Sequence, residues 1–511
     1  MTNWTAGYVA DIGYTFGYYP ELNPLRVKLA FANTGLVCPA MGTACELGFG
    51  QGLSTNLHAA ASMTQWRGTD FIPSQAAFAQ ELASATGADA GLYDQAFADF
   101  AQRTDLPDFD YIGLHGIWSW ISDENRAVIV DFIRRKLKVG GVLYISYNTQ
   151  PGWAAMAPMR HLMTEHAQTM GADGDGIVKR IDSALDFTDK LLATNPNYAK
   201  ANPAVVERMK GIKAQSRNYL AHEYFNRDWH PMHFATMAQW LEPAKVSFAC
   251  SAHYLDHIDG INLTNEQQAL LKDIPDAMFR ETVRDFIFNQ QFRRDYWVKG
   301  ARPLSALDKT ETLRAHKIIL IAHRPDIALK VGGFLGEASM QETIYNPILD
   351  LLADHKSRTI GQIELALQGQ GIAMPQIIQA VFILIGAGHA NSVQDEVIIP
   401  KAKKHCDKLN AYLMQKARSG GDISFLASPV TGGGVTVTRF PQLFLLALSQ
   451  GKKQPAEWAQ YTWALLDAQN QKILKDGKPL ATAEDNLAEL TEQAHLFATK
   501  QLPILKALQI V

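Results

Sequence analysis

In the stretch ACELGFGQGLS, Glu46, Gly48, Gly50 and Gly52 fall at every second position, after an apolar run that can end a strand. Asp70 follows 24 residues beyond Glu46, where the next strand-like run ends. Glycines in a strand-to-helix turn let the backbone approach a ligand closely and adopt positive φ. A phosphate-binding P-loop needs a lysine after its last glycine, and none follows here. A dinucleotide turn follows G-x-G-x-x-G, but Leu53 occupies the last place and the third glycine comes one position early. That disfavours a nicotinamide-dependent oxidoreductase. The remaining pattern, E-x-G-x-G-x-G, suits an amino-acid head group. Its carboxylate would sit near the helix start and its ammonium near Glu46, while Asp70 accepts the hydroxyls of a ribose. A nucleoside with free ribose hydroxyls, an amino-acid tail and no phosphate is S-adenosylmethionine, the cofactor expected here. The competing structural account is a tight turn with Asp70 exposed at a strand end.

Methyl transfer is an in-line displacement, so a protein must align donor and acceptor and exclude water. An amine acceptor must also lose a proton, which a His, Tyr or carboxylate can take. His115 opens HGIWSWI and could orient or deprotonate the acceptor, with Trp118 and Trp120 as aromatic faces for a cation. Core packing is the stronger expectation for Trp120, and backbone bonding is the alternative for His115. Tyr147, Asn148 and Trp153 lie on the exit of a strand and are placed to touch substrate. His222, Glu223 and Tyr224 form a candidate lid or acceptor-side group, against which a packed helix is the plainer reading. Tyr14 or Tyr18 could close over the cofactor and Arg26 could reach its carboxylate; simple packing serves equally. No metal is expected: His253 and His257 are four apart without the partnering glutamate, and Pro231 interrupts His230 and His233.

These residues need a frame. Strand candidates at 43–48, 66–71, 90–95, 110–115 and 142–148 alternate with helical stretches, which predicts an α/β fold with an open, mainly parallel sheet. The clearest helix spans 122–141, with Ser122 as cap, acids first, bases last and Gly140–Gly141 as stop. A helical segment over about 155–225 reads as an insertion. KVSFACS then returns to the sheet, and 260–300 reads as helical. Residues 346–393 predict three helices with turns at Ser357–Arg358 and Gly369–Gly371, followed by a β-hairpin through VIIP, a winged-helix-like arrangement. Its third helix carries no positive charge, which argues against nucleic acid and for protein contact or a homodimer. The glycines of SPVTGGGVTVT read as a mobile loop, and KAKKHCDK as a solvated face.

ELGFGQG, GTDF, FDYIGLHGIWSWI and KVGGVLYISYNTQPGW together resemble the class I S-adenosylmethionine-dependent methyltransferases. YLAHEYFNRDWHPMHF and FRETVRDFIFNQQFRRDYWVKG are similar to the regulatory domain of a bacterial branch that includes protein lysine methyltransferases acting on outer-membrane proteins. The resemblance implies a Rossmann-like sheet within residues 1–260, a regulatory domain over 219–300 and an interaction region over 301–511. It places Glu46, Gly48, Gly50 and Gly52 around the methionine part, Asp70 on the ribose and Phe71 beside the adenine. Ala96 and Phe97 would meet the adenine through their backbone, with His115 and Gly116 below the sulfonium. The acceptor it implies is a protein lysine. A small-molecule acceptor, or a cofactor-binding regulator without catalysis, stays open.

The bulk numbers agree with a protein of this class. The 511 residues, 47% hydrophobic and 19% charged, carry a net charge of −3, so no basic field draws nucleic acid or anionic membrane. The start MTNWTAGYVADIGYTF lacks a basic head before an apolar core, no run is long enough to insert in a bilayer, and four scattered cysteines suggest no disulfide framework. A cytoplasmic location is expected.

Overall fold

The computed structural model describes residue 8, residues 12–172 and residues 174–511. Most of the stretch on which a leader was judged lies outside them. Five strands follow the expected alternation: β1 (Thr43–Leu47), β2 (Gln65–Asp70), β3 (Ala90–Asp94), β4 (Phe109–Leu114) and β5 (Leu137–Asn148). All five run parallel. With β6 (Ser247–Ser251) and β7 (Phe292–Val298) they form one sheet in the order β3-β2-β1-β4-β5-β7-β6. Strand order reverses between β1 and β4, and the carboxyl ends of strands flanking such a reversal open a ligand crevice.

Two local expectations change. The helix Asp123–Lys136 starts where expected, with Ser122 Oγ accepting from the Asn125 N–H, but it ends four residues before Gly140. Leu137 turns directly into β5, and Gly140 sits inside that strand at φ +84 while its N–H bonds to the Lys299 carbonyl. The glycine pair bends a strand instead of stopping a helix. The segment expected as helical over 260–300 is helical only to Phe288, where Asn289 at φ 48 closes the helix Ala277–Phe288. Residues 292–298 then pair antiparallel with both β5 and β6, so the sheet draws on residues beyond 260. Being central, β7 is buried along most of its length, and its Arg-Asp-Tyr-Trp run hid that from a helical reading.

The insertion is a helical bundle over Ala157–Thr169, Ile177–Ala193, Asn197–Ala201, Pro203–Lys213 and Arg217–Tyr224. It has its own core of Met159, Met163, Ile181, Leu185, Met209 and Leu220. Farther on, Lys317–Leu320 is the middle strand between Arg358–Thr359 and Ala390–Ser392, and the helices Glu342–Leu352, Ile360–Ala366 and Met374–Gly386 pack with it. The third helix buries Ile377, Ala380 and Val381 completely. VIIP does not make a hairpin: Ile399 begins the helix Ile399–Lys416, with Pro400 in the first turn, where its missing N–H costs nothing.

The glycine-rich stretch is not a loose loop either. Phe425–Ser428 and Gly433–Thr436 form a hairpin buried against the helix Leu53–Ala61. The Gly434 N–H bonds to the Tyr18 hydroxyl at 2.8 Å, and Asn23 donates to the Gly432 carbonyl. A single apolar cluster joins Leu53, Leu57 and Leu82 to Leu409, Leu413 and Leu426, so the C-terminal part and the helix after the glycine turn share one core. Among the described residues no helix is long and apolar enough to cross a membrane.

Candidate functional site

The carboxyl ends of β1, β2, β4 and β5 converge on a cavity of about 580 Å³. Glu46, Gly48, Gly50, Gly52, Asp70, Phe71, Ala96, Phe97, His115 and Gly116 all line it. The three glycines have φ of +78, +56 and +67, conformations that L side chains avoid. Their individual roles differ. A Cβ on Gly52 would overlap Ala79 of the adjacent helix, so that glycine serves packing; a Cβ on Gly50 would meet only Gln75 Oε1 at 3.9 Å, so that glycine leaves room in the cavity.

Asp70, the last residue of β2, ties this turn to the next one. Its Oδ2 accepts from the Gly50 N–H at 2.8 Å and its Oδ1 from the Ile72 N–H at 3.0 Å. The Phe71 N–H also favours the ionised form, and the carboxylate, with about four lone-pair positions, keeps capacity for a ligand hydroxyl. Burial pushes the Asp70 carboxyl up to about 6, against the lowering effect of those N–H groups. Glu46 is likewise pushed up to about 7 by burial, opposed by the Thr55 hydroxyl that donates to it and reinforced by Asp70. Carboxylates held this way gain from a cationic or hydroxyl-bearing ligand.

His115 follows β4. Its ring stacks on Tyr19 with centroids 3.8 Å apart, and its Nδ1 lies 2.7 Å from the Tyr144 hydroxyl. Burial lowers its pKa to about 4, with Glu21 opposing and Arg294 assisting, so the imidazole is neutral near pH 7. The Gly116 N–H bonds to Ser146 Oγ, which pins the turn.

The far half of the cavity belongs to the helical insertion and the N-terminal segment. Trp120, Trp153 and Tyr219 supply aromatic faces, and Glu223 and Asp228 supply carboxylates. Among the described residues, Glu223 has the Tyr14 hydroxyl as its hydrogen-bond partner, at 3.4 Å. Burial pushes its carboxyl up to about 7. His222 lines the same half; its Nε2 lies 3.1 Å from the Ile12 carbonyl, and Tyr8 and Tyr14 pack on its ring.

Several expected residues stand elsewhere. Tyr147 does not reach the cavity: it points to the opposite face of β5, where its hydroxyl donates to Asp295 at 2.9 Å in a fully buried setting. Tyr224 packs in the core of the insertion against Trp153 and takes no place in the cavity wall. The two tryptophans exchange parts, Trp118 being buried with its indole N–H toward Met232 Sδ while Trp120 lines the cavity. Tyr18 is held by the C-terminal hairpin, and the Arg26 guanidinium lies 4.1 Å over the Tyr254 ring. His257 bonds to the Ser251 carbonyl, and among the described residues no group of three His, Cys, Asp or Glu side chains could hold a metal.

The sequence reading missed Tyr8, Tyr19, Gln75, Tyr219, Asp228 and Phe292 as lining residues. Tyr219 and Asp228 lie within YLAHEYFNRDWHPMHF, so the motif itself was the available signal. Phe292 begins β7 and became visible only with the strand.

The chain is similar to several known proteins. Residues 216–299 match the family described as "Predicted methyltransferase regulatory domain". The protein sll1526 of Synechocystis sp. is 39% identical over 512 residues, covering 99% of each chain. RP028 of Rickettsia prowazekii is 29% identical over 196 residues, 37% of this chain and 76% of that one. In three dimensions the chain superposes on PKMT2 from Rickettsia typhi, solved in complex with AdoHcy, with a TM-score of 0.68. That match has 15% identity and covers 94% of this chain and 98% of PKMT2, a likeness of fold.

Proposed function

We propose, for a chain that belongs to the class I S-adenosylmethionine-dependent methyltransferases carrying a methyltransferase regulatory domain, that it methylates an amine, and that this amine is a lysine side chain of another protein. One observation carries the reading: a single cavity joins the glycine turn and Asp70 to an aromatic half at Trp120, Trp153 and Tyr219 that holds the Glu223 carboxyl and the Arg227–Asp228 ion pair.

The residues fit the cofactor. The Asp70 carboxylate is held by backbone N–H groups of the Gly50 and Ile72 turns, with Phe71 beside them, and Gly50 leaves space at the turn. When bound, S-adenosylmethionine supplies a methyl group already activated by a sulfonium. Asp70 holds the ribose hydroxyls, Glu46 and the glycine turn the amino-acid end, and Phe71, Ala96 and Phe97 flank the adenine. His115, being neutral, places no positive charge beside a cationic ligand.

On the acceptor side the aromatic faces receive the alkyl chain and stabilise an ammonium by cation–π attraction. Glu223, whose hydrogen-bond partner among the described residues is the Tyr14 hydroxyl, offers the oxygen that takes the proton an ammonium must lose before it is nucleophilic. Tyr219, 37% exposed at the mouth, marks the entry for a side chain arriving from the surface.

The test is incubation of the protein with radiolabelled methyl donor and a cell lysate, followed by hydrolysis and amino-acid analysis. Label in methyl-lysine of the macromolecular fraction is expected. Label confined to small molecules would replace lysine by a metabolite acceptor. Donor binding without transfer to any fraction would overturn the enzymatic reading.

A further inference from the structure

The two ring nitrogens of His115 have different surroundings. Nδ1 lies 2.7 Å from the Tyr144 hydroxyl and 3.4 Å from Ser146 Oγ, and both of these β5 residues are fully buried. Nε2 has neither a hydrogen-bond partner nor full burial among the described residues, and the ring lines the catalytic cavity.

Counting hydrogens decides which nitrogen carries one. The Gly116 N–H donates to Ser146 Oγ at 2.8 Å, so the Ser146 hydrogen must itself go to another acceptor. The Ser146 hydroxyl bonds to the Tyr144 oxygen, and the Tyr144 hydrogen then has His115 Nδ1 as its acceptor. Every buried hydrogen is used in that order. With the hydrogen on Nδ1 instead, Nδ1–H would donate to Tyr144 and Tyr144 to Ser146. The Ser146 hydrogen would then lack an acceptor among the described residues. A buried hydroxyl left in that state is costly. The neutral ring therefore carries its hydrogen on Nε2, and its lone pair is consumed inside the sheet.

The surroundings narrow what this donor meets. His115 follows β4, which pairs with β1 so that Gly113 stands opposite Glu46, and a Cβ on Gly48 would overlap Ile117. The imidazole thus stands beside the glycine turn, where the amino-acid tail of the cofactor is placed. The turn has few N–H groups left for an anion: Gly48 and Phe49 donate to the Thr69 carbonyl, Gly50 to Asp70 and Gly52 to the Phe49 carbonyl. Arg227, the guanidinium among the lining residues, is paired with Asp228.

We propose that Ser146 and Tyr144 are positioning residues that order the His115 ring, so that its Nε2–H donates to the carboxylate of the cofactor's amino-acid tail. His115 is then a binding residue and takes no proton from the acceptor amine, because no lone pair of the ring faces the cavity. The proposal rests on S-adenosylmethionine being the cofactor.

The experiment has a spectroscopic and a calorimetric arm. ¹⁵N NMR spectra of histidine-labelled protein near pH 7, with the His115 signals assigned through His115→Gln, are expected to show Nε2 protonated and Nδ1 bare. In Tyr144→Phe the hydrogen is expected to distribute over both nitrogens. A hydrogen on Nδ1 in the unaltered protein, or an unchanged spectrum in Tyr144→Phe, would overturn the proposal. Calorimetry compares S-adenosylhomocysteine with methylthioadenosine, a nucleoside thioether without the amino-acid tail. His115→Phe is expected to weaken the first at least tenfold and leave the second within twofold, while His115→Gln, which keeps a donor, recovers most of the loss. Should His115→Phe fold poorly, Tyr144→Phe is expected to weaken the first several-fold and spare the second. A merely structural role would weaken both ligands alike, and that result, or no weakening of either, would overturn the proposal. An unaltered protein that binds neither ligand would overturn the cofactor reading and the contact with it, whatever the spectra show.

Discussion

Replacing Asp70 by Asn asks most directly whether the cavity holds a ribose. The carboxylate is held by the N–H groups of Gly50 and Ile72, with that of Phe71 beside them, and keeps lone-pair capacity for ribose hydroxyls. The amide keeps one oxygen and sets its NH₂ against the N–H of Gly50 or Ile72, donor against donor. One charge-assisted hydrogen bond to the ligand is lost and the other becomes neutral. With charged hydrogen bonds worth about 1.5–3 kcal/mol and neutral ones about 1 kcal/mol, the expected loss is about 2–3 kcal/mol. That corresponds to roughly 30- to 150-fold weaker binding. Calorimetry with S-adenosylhomocysteine measures it without turnover, and circular dichroism checks that the variant is folded. A second signature follows from charge. Since burial pushes the Asp70 carboxyl up to about 6 and hydroxyl donors favour the ionised form, affinity of the unaltered protein should fall as pH drops below about 6. The Asn variant should lose the part of that fall that Asp70 imposes, keeping the part set by Glu46, which titrates at about 7. A folded variant with unchanged affinity and an unchanged pH profile would refute the assignment of Asp70 to a ribose.

Other substitutions separate folding from chemistry. Gly52→Ala should lower stability by more than about 2 kcal/mol in urea unfolding, because a positive φ and an overlap with Ala79 add together, whereas Gly50→Ala should cost about 1 kcal/mol and mainly weaken ligand binding. Equal stability losses would erase the distinction between the two glycines. Tyr147→Phe should cost about 1–3 kcal/mol of stability by leaving Asp295 one donor short, with cofactor affinity unchanged. A loss of cofactor affinity at native stability would return Tyr147 to the site. Glu223→Gln should reduce turnover on an amine acceptor by about tenfold or more and abolish the decline in rate below about pH 7 that protonation of Glu223 imposes, with cofactor affinity retained. A retained acid limb would assign the proton transfer to another group.

The cofactor half was legible because its signals are local. Alternating glycines before a helix require positive φ wherever they occur, and an acid ending the second strand of a parallel sheet lies at its carboxyl edge whatever the rest of the chain does. Ser122, with acids behind it and bases a few turns later, marks a helix start by the same local logic. What escaped were choices between neighbours. Tyr147 and Asn148 are adjacent on β5, and the pleat sends one to the core and the other to the cavity. Trp118 and Trp120, at the two ends of one helical turn, and Tyr18 and Tyr19, outside any strand, likewise part between packing and cavity. Composition cannot rank such pairs, because either member has the chemistry for either role.

Long-range pairing decided the rest. Phe292–Val298 became a strand because β5 and β6 offered it two edges at once, and SPVTGGGVTVT became buried because Tyr18, more than four hundred residues earlier, sits beneath it. The order of residues alone thus determined the turn that approaches a ligand and the acid that faces it, through backbone geometry acting over a few residues. Which aromatics wall the acceptor side, and which carboxylate there meets a tyrosine hydroxyl rather than an arginine, depended on elements packing across the fold. Burial and hydrogen-bond satisfaction are settled only when distant segments meet.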